Sequence, residues 1–284
     1  MINLDIDANG IVNPENISSV SRLIETVANV ASVFQIGNIR ASQARAHEKI
    51  LSDVAADSST PIEKRIAFVS NYDRIVKEER KKRKILEDAI PHIKQDSHPE
   101  DIDEDWLVDF FDKAGKISSE QLAPIWSRIL AEESNDPGKV PRSLLHSLFI
   151  MERKDAESFK NLSRFCFFQM DQSRSVHPII FMGRLADTNF RQGITDSSLD
   201  GIRRLGLIDV DYTIGYAING PARFRYGNAI IEVNSPTINL GCVRFSRSGR
   251  VLFDMVEHTS NDGIREHVCT VFRRNGYDVG ILRR

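Results

Sequence analysis

Residues 60–91 read TPIEKRIAFVSNYDRIVKEERKKRKILEDAIP, and this stretch predicts a long helix. Its apolar residues recur at the spacing of one helix face: Ile62, Ile66, Val69 and Val76. An apolar helix face of this kind needs a partner surface, because helices in proteins gain most of their stability from packing of that face. The stretch therefore indicates a protein built around packed helices.

The ends of this helix carry their own signals. Thr60 is expected to act as the N-cap, Pro61 fits the first helical position, and Glu63 completes a capping box. Pro91 is expected to end or bend the helix, because proline cannot donate a backbone hydrogen bond.

Residues 17–51 predict a second long helix before this one. Its apolar or small residues alternate in steps of four and three: Val20, Ile24, Val27, Ala31 and Phe34. Such spacing is typical of a seam that faces a partner helix. We expect the two helices to form an antiparallel, coiled-coil-like hairpin that also makes the protein a homo-oligomer.

A basic run lies inside the helix of residues 60–91: Arg80, Lys81, Lys82, Arg83 and Lys84. It has two interpretations, a solvated helix turn or a surface that contacts phosphates or a partner. No aromatic residue is interleaved with it, which disfavours stacking on single-stranded nucleic acid. The acidic run at residues 100–105 lacks the glycine of a calcium loop, so we expect it to start a helix instead.

A central helical block follows. Trp106 and Trp126 are expected to anchor its core, with Gly115 ending the first helix of the block and the Asn135-Asp136-Pro137-Gly138 sequence forming a turn. Two further helices are predicted near residues 144–149 and 156–168.

This block resembles a known family in four strings: DWLVDFFDKA at 105–114, ISSE at 117–120, IWSRILAEE at 125–133 and PG at 137–138. They are similar to a bacterial family of uncharacterised proteins, domain of unknown function 2806. The resemblance is strongest over residues 78–159. It implies a helical fold and carries no established activity, so no catalytic residue follows from it.

The last third of the chain predicts a small α/β module. Thr195 is expected to cap a helix that Gly206 closes, and the Leu-Gly-Leu-Ile sequence at 205–208 leads into strands, as in many winged-helix modules. Strands are predicted at residues 212–218, 223–233 and 238–245, a helix from Ser246, and a final helix at 264–274. Residues 277–282 are predicted as an edge strand.

Arginines make this module locally basic: Arg203, Arg204, Arg223, Arg225, Arg244, Arg247 and Arg250. Arginine suits phosphates and guanine, so nucleic-acid contact is one interpretation. The helix before Gly206 is short for base reading, and winged modules also dock proteins. Protein docking is therefore the favoured interpretation.

Composition narrows the class of protein. Hydrophobic residues make up 41%, charged residues 27% and the net charge is −2, which predicts a folded chain without an overall basic character. Cys166, Cys242 and Cys269 are scattered, which predicts buried cysteines rather than disulfides or a zinc site. No signal peptide or spanning segment is recognised, so a cytoplasmic protein without membrane contact is expected.

Together these patterns predict an α+β, predominantly α protein. Its parts are a long N-terminal helical hairpin (1–95), a central helical block (96–172) and a C-terminal winged-helix-like α/β module (173–284). No catalytic, cofactor or metal motif is found, so a non-enzymatic interaction or regulatory protein is the first expectation. The alternatives are a nucleic-acid-binding protein that uses residues 80–84 and the C-terminal arginines, and an effector or accessory protein in bacterial phage defence.

Overall fold

The computed structural model describes residues 17–30, 49, 51–117, 123–170, 176–182 and 194–283. The chain forms two compact units, with the boundary between Leu145 and His146. Helices predominate and the sheets lie in the second unit, which confirms the predicted α+β, predominantly α class. The division into three parts stays a prediction.

Helices form the described part of the first unit. They are α1 (Ile17–Asn29), α2 (Ile62–Ala89), α3 (Glu104–Lys116), α4 (Ala123–Asn135) and the start of α5 (Arg142–Ile150), with 3-10 turns at Ile90–His92 and Pro99–Asp101. α2 packs against α3 and α4, and α1 packs against the turn at Pro99–Asp101. The long helix of residues 60–91 is thus confirmed, and its packing partners are the central helices.

α1 is shorter than predicted. It ends at Asn29, so a single continuous helix from residue 17 to residue 51 is wrong, while Ala31 and Phe34 lie outside the described residues. Its apolar face is buried inside the unit at Val20, Leu23, Val27 and Val30. The Arg22 guanidinium donates to the Ser97 carbonyl, which fixes α1 near the turn. The seam of α1 is therefore used within the chain.

The start of α2 also differs from the prediction. Pro61 is the N-cap residue and makes no side-chain cap bond, so the predicted capping box of Thr60 and Glu63 is wrong. The Thr60 hydroxyl donates instead to Asp57, which also accepts from Ser59. These bonds, first the one from the Ser59 side chain, lower the pKa of Asp57. The Thr60 hydroxyl is thus oriented toward Asp57 rather than toward the amides of the first turn of α2.

The aromatic core of the first unit is formed by α3 and α4. The ring centroid of Phe110 lies 5.1 Å from that of Trp106 and 5.4 Å from that of Trp126. All three side chains are almost fully buried, as predicted for the two tryptophans. The Trp106 indole donates to the Val140 carbonyl at 3.0 Å. Asp103 caps α3 through the Trp106 amide, which confirms the acidic helix start.

Gly115 does not end α3, which continues to Lys116. A Cβ on Gly115 would lie 3.0 Å from the Lys82 Cε of α2. The glycine thus provides room for a lysine side chain of the neighbouring helix rather than a helix stop. The turn predicted at residues 135–138 is confirmed, and there Gly138 has φ +83°.

The second unit contains the remaining elements. Its helices after α5 are α6 (Arg153–Ser163), α7 (Asp196–Arg204), α8 (Arg247–Met255) and α9 (Asp262–Arg274). Its strands are β1 (Cys166–Met170), β2 (Val176–Ile180), β3 (Ile208–Val210), β4 (Tyr216–Asn219), β5 (Ala222–Tyr226), β6 (Ala229–Asn234), β7 (Thr237–Gly241), β8 (Val243–Phe245) and β9 (Asp278–Arg283).

Five strands form one antiparallel sheet in the order β2-β1-β5-β6-β9, and β3-β8 and β4-β7 form two smaller pairs. Two predictions here are wrong. The helix predicted to reach residue 168 ends at Ser163, because the aromatic stretch after it forms β1. The strand predicted at 223–233 is a hairpin, because Gly227 adopts φ +54° and turns the chain.

The two faces of the five-stranded sheet differ. One face carries buried residues of the core, among them Phe167, Phe224, Ile231 and Val233. On the other face one cross-strand row joins Phe168, Arg225, Ile230 and Leu282. Arg225 and Leu282 of this row are exposed to solvent, whereas Phe168 and Ile230 are half-buried.

The β3-β8 pair connects α7 to α8. Thr195 caps α7 through the Ser198 amide and Gly206 follows with φ +69°, as predicted. Ser246 caps α8 through the Gly249 amide. The order helix, strand, strand, helix is present, and the likeness to a winged helix stays a prediction.

Candidate functional surfaces

The first half of α2 carries apolar side chains in solvent. Ile62, Ile66 and Phe68 are 58%, 59% and 49% exposed, and Val69 and Tyr72 are half-buried. The rings of Phe68 and Tyr72 stack with centroids 6.1 Å apart, which extends the apolar surface sideways. We call these five residues the apolar stripe. Large apolar side chains clustered in water commonly mark an interaction surface.

The second half of α2 behaves differently. Val76, Ile85, Leu86 and Ala89 are buried against the central helices. One helix therefore serves the core of the unit at its C-terminal half and presents apolar residues to solvent at its N-terminal half. Sequence spacing identified Ile62, Ile66 and Val69 as a helix face, whereas Phe68 and Tyr72 were missed, although their separation by four residues is a helical signal.

The basic run on α2 does not form one surface. Lys82 is buried, and its ammonium donates to the Glu79 carboxylate at 3.2 Å. The Lys81 ammonium donates to the Ile117 carbonyl at 2.6 Å, which ties it to the C-terminal end of α3. Helical geometry explains this division, because five consecutive residues point in every direction around the axis.

Three residues of the run are exposed: Arg80, Lys81 and Lys84. Of these, Arg80 and Lys84 lie four positions apart, on one side of the helix. Arg83 is half-buried. Two cations on one helix face form a much smaller phosphate-contacting surface than five would.

Four of the C-terminal arginines lie where α7 ends and α8 begins. The Ser246 amide donates to the Leu207 carbonyl at 3.1 Å, and the Ser246 hydroxyl donates to the Gly206 carbonyl. These bonds hold the start of α8 beside the end of α7. The exposed arginines of the two helix ends are Arg203, Arg204, Arg247 and Arg250. We call these four residues the arginine junction.

Other charges lie close to the arginine junction. The hydrogen bond with Glu152 raises the pKa of Lys154, and α6, which carries Lys154, packs against α7. Asp200 is exposed on α7, one turn before Arg204. The surface is thus basic with acidic residues at its border.

Arg223, Arg225 and Arg244 have partners within the module. Arg244 pairs with Asp209 at 3.1 Å and lies over the Tyr216 ring. Arg223 pairs with Glu232 at 2.8 Å, and Arg225 lies over the Phe168 ring at 4.9 Å. These contacts partly neutralise the charge of Arg223 and Arg244 and place the Arg225 guanidinium against an aromatic ring.

Cysteine thiols and clusters of metal-binding side chains are the groups that could support chemistry. Cys166, Cys242 and Cys269 are buried as predicted, and burial raises the pKa of the Cys166 and Cys269 thiols. In the described ranges, no group of three or more His, Cys, Asp or Glu side chains could hold a metal ion. Across those same ranges, no helix has the length and apolar character needed to cross a membrane.

Comparisons with known proteins show one relationship. No curated protein and no solved structure matches the chain significantly. A family model described as "Protein of unknown function (DUF2806)" matches residues 71–195, from the middle of α2 to the N-cap of α7. This match confirms the resemblance seen in the sequence and extends it at both ends. Residues 71–195 of this chain are therefore similar to the DUF2806 family, whose function is unknown.

Proposed function

We propose that the protein is a non-enzymatic interaction protein that self-assembles through the apolar stripe of α2. The observation that carries this proposal is the exposure of Ile62 and Ile66, each more than half in solvent on a helix whose other half is buried. Burying an exposed aliphatic side chain contributes about 1.5–3 kcal/mol, so pairing two such stripes is favourable.

A second copy of the chain is the occupant that the spacing favours. Ile62, Ile66 and Val69 follow steps of four and three, which is the repeat by which one helix packs against an equivalent helix. The seam of α1, in contrast, is covered inside its own unit at Val20, Leu23 and Val27. Self-assembly through the N-terminal helices is thus assigned to α2.

The test is the molar mass by size-exclusion chromatography with light scattering across micromolar concentrations. Ile66→Glu should shift the protein to monomer, because a charge would be placed within the pairing surface. Ala67→Glu is the matched control, since Ala67 is exposed at the next position on another side of the helix. A wild-type protein that is monomeric throughout, or an equal effect of both variants, would refute the assembly.

A second candidate function is binding of nucleic acid at the arginine junction, within a winged-helix-like module. The observation that favours it is the pair of Ser246 hydrogen bonds, which hold two arginine-bearing helix ends side by side. Guanidinium groups on a fixed scaffold suit the phosphate backbone. Asp200 at the border disfavours base reading by α7, so contact would be with phosphates.

This candidate is tested by mobility shift of a labelled duplex at several salt concentrations. Binding should weaken with a log–log slope of about 0.9 per phosphate contact, and Arg203→Ala with Arg250→Ala should reduce both affinity and slope. Arg274→Ala is the control, because Arg274 is exposed at the end of α9. Absence of any shift at low salt would exclude this function.

A further inference from the structure

β9 is an edge strand with apolar residues in solvent. It borders β6 at one end of the five-stranded sheet, as predicted for residues 277–282. Ile281 and Leu282 are 38% and 53% exposed, and they lie on opposite faces of the sheet. Edge strands are usually protected by lysine, proline or a covering element, since an unprotected edge invites another strand.

The hairpin of β5 and β6 determines which backbone groups of β9 point outward. Tyr226 and Ala229 pair across a two-residue loop, so they exchange both hydrogen bonds. Pairing type alternates along a ladder, so Ala229, Ile231 and Val233 direct their amides and carbonyls to β5. The intervening residues of β6 direct theirs to β9, where their partners are Asp278, Gly280 and Leu282.

The backbone amides and carbonyls of Val279 and Ile281 therefore point away from the sheet. One side chain reaches this edge, because Arg273 donates to the Val279 carbonyl at 3.4 Å. That contact is long for a hydrogen bond between nitrogen and oxygen, and Arg273 is exposed. A strand arriving at the edge can replace it.

We propose that β9 pairs antiparallel with β9 of a second copy, so that two five-stranded sheets join into one. Only residues with outward backbone groups can form the hydrogen-bonded pairs between the two copies. Two registers meet this condition: Ile281 lies opposite Ile281 of the other copy, or Val279 lies opposite Ile281 of the other copy. The register centred on Ile281 forms more hydrogen bonds, because Val279 then also pairs with residue 283 of the other copy.

Side-chain shape supports this register. Gly280 of each copy is opposite Leu282 of the other, in pairs whose Cα atoms approach to about 4.5 Å. A Cβ on Gly280 would meet only Glu232, at 3.9 Å, so the space above Gly280 is open. The exposed Leu282 of the second copy fills that space on one face, and the two Ile281 side chains meet on the other.

Charge supports the antiparallel direction. The strand starts at an acidic residue, Asp278, and ends at a basic one, Arg283. Antiparallel pairing in this register places Asp278 opposite position 284 of the other copy, which is an arginine in the sequence, whereas parallel pairing would align like charges. An edge contact of six residues is small, so the dimer is expected to be weak and concentration-dependent.

This interface is separate from the apolar stripe, so its test is made in the Ile66→Glu background, where assembly through α2 is removed. Ile281→Cys should form a disulfide-linked dimer under mild oxidation, since the Cα atoms of a hydrogen-bonded pair are about 5.5 Å apart. Val279→Cys is the matched control, because the two copies of residue 279 are offset by four positions, about 13 Å. The native cysteines are buried and do not compete.

The expected result is strong cross-linking of Ile281→Cys and weak cross-linking of Val279→Cys. Equal cross-linking of both variants would indicate random collision and overturn the proposal, as would no cross-linking of either. Ile281→Pro provides a second measurement, because it removes an outward amide that β6 does not use. It should abolish concentration-dependent association in sedimentation velocity while the sheet remains folded by circular dichroism, and unchanged association would contradict the proposal.

Discussion

The Lys82 ammonium lies 3.2 Å from the Glu79 carboxylate, one helical turn away, and both side chains are almost completely buried. A buried pair of this kind is sensitive to loss of one member, because the remaining charge has no water to replace its partner. We expect Lys82→Met to lower the free energy of unfolding by about 3–5 kcal/mol. Urea unfolding followed by tryptophan fluorescence measures this directly, since Trp106 and Trp126 lie in the same unit.

The matched control for that experiment is the double variant Glu79→Leu with Lys82→Met. Replacing both charges by apolar groups should recover most of the lost stability. If the single and the double variant unfold at the same urea concentration, the pair does not act as described.

Glu133 organises the turn after α4. Its two carboxylate oxygens accept from the Gly138 amide at 2.7 Å and the Val140 amide at 2.8 Å, and its side chain is buried. Glu133→Gln should lower the free energy of unfolding by about 1–3 kcal/mol, because an amide cannot accept both bonds and leaves one buried donor without a partner.

Glu132→Gln is the comparison for Glu133→Gln, because Glu132 is partly exposed and pairs with Lys139. Its cost should be about 0–1 kcal/mol by the same urea assay. Similar losses for the two variants would contradict the proposed role of the turn.

Gly249 lies at the first turn of α8 directly against the Leu207 carbonyl, which a Cβ would overlap. Gly249→Ala should therefore separate the helix ends of the arginine junction and cause a large fall in the melting temperature. Gly276→Ala is the control, since Gly276 has φ +80° with open space around it, and its cost should be about 1 kcal/mol. Differential scanning calorimetry compares the two, and a Gly249→Ala protein as stable as Gly276→Ala would exclude the close packing.

His258 makes the stability of the second unit depend on pH. Its ring stacks on Phe253 with centroids 3.8 Å apart, and burial lowers the pKa of the imidazole. The unfolded chain then binds a proton more readily than the folded one, so the stabilisation is complete above about pH 6.5 and is lost as the pH falls toward the folded pKa.

His258→Gln should flatten this dependence between pH 7.5 and pH 5. The effect is expected to be small, because much of the ring is exposed to solvent. Chemical unfolding of the second unit by circular dichroism at several pH values provides the measurement. A variant with the same pH profile as the wild type would remove His258 as the cause.

Local signals in the sequence predicted most helix starts correctly, and the exceptions have physical causes. Thr195 caps the helix that it was expected to cap, and Asp103 and Ser246 are the N-caps of helices that were expected to start at these places. Thr60 is not the N-cap of α2, and its hydroxyl is oriented toward Asp57, to which it donates. A cap is a short-range contact, so the sequence predicts it unless another local hydrogen bond orients the side chain elsewhere.

Contacts between elements that are distant along the chain could not be predicted from the sequence. The aromatic residues of the CFFQM stretch favour a strand, but the stretch directly follows a helix, and its partners, β2 and the distant β5, cannot be identified from local sequence. Gly115 was interpreted as a helix stop, yet it accommodates Lys82 of another helix. The basic run shows the same limit, since composition predicts its charge but not that Lys82 turns inward to Glu79.

The position of β9 has a consequence for biosynthesis. β6 is an inner strand of the sheet only when β9 pairs along one of its edges. Yet β9 is the last strand of the described chain to leave the ribosome. Until residues 278–283 emerge, Ile230, Glu232 and Asn234 keep unpaired backbone groups on a nascent chain. The second unit is therefore expected to complete its sheet only after translation has passed residue 283. A product truncated before β9 would leave the backbone groups on one side of β6 unpaired and exposed to chaperones and proteases.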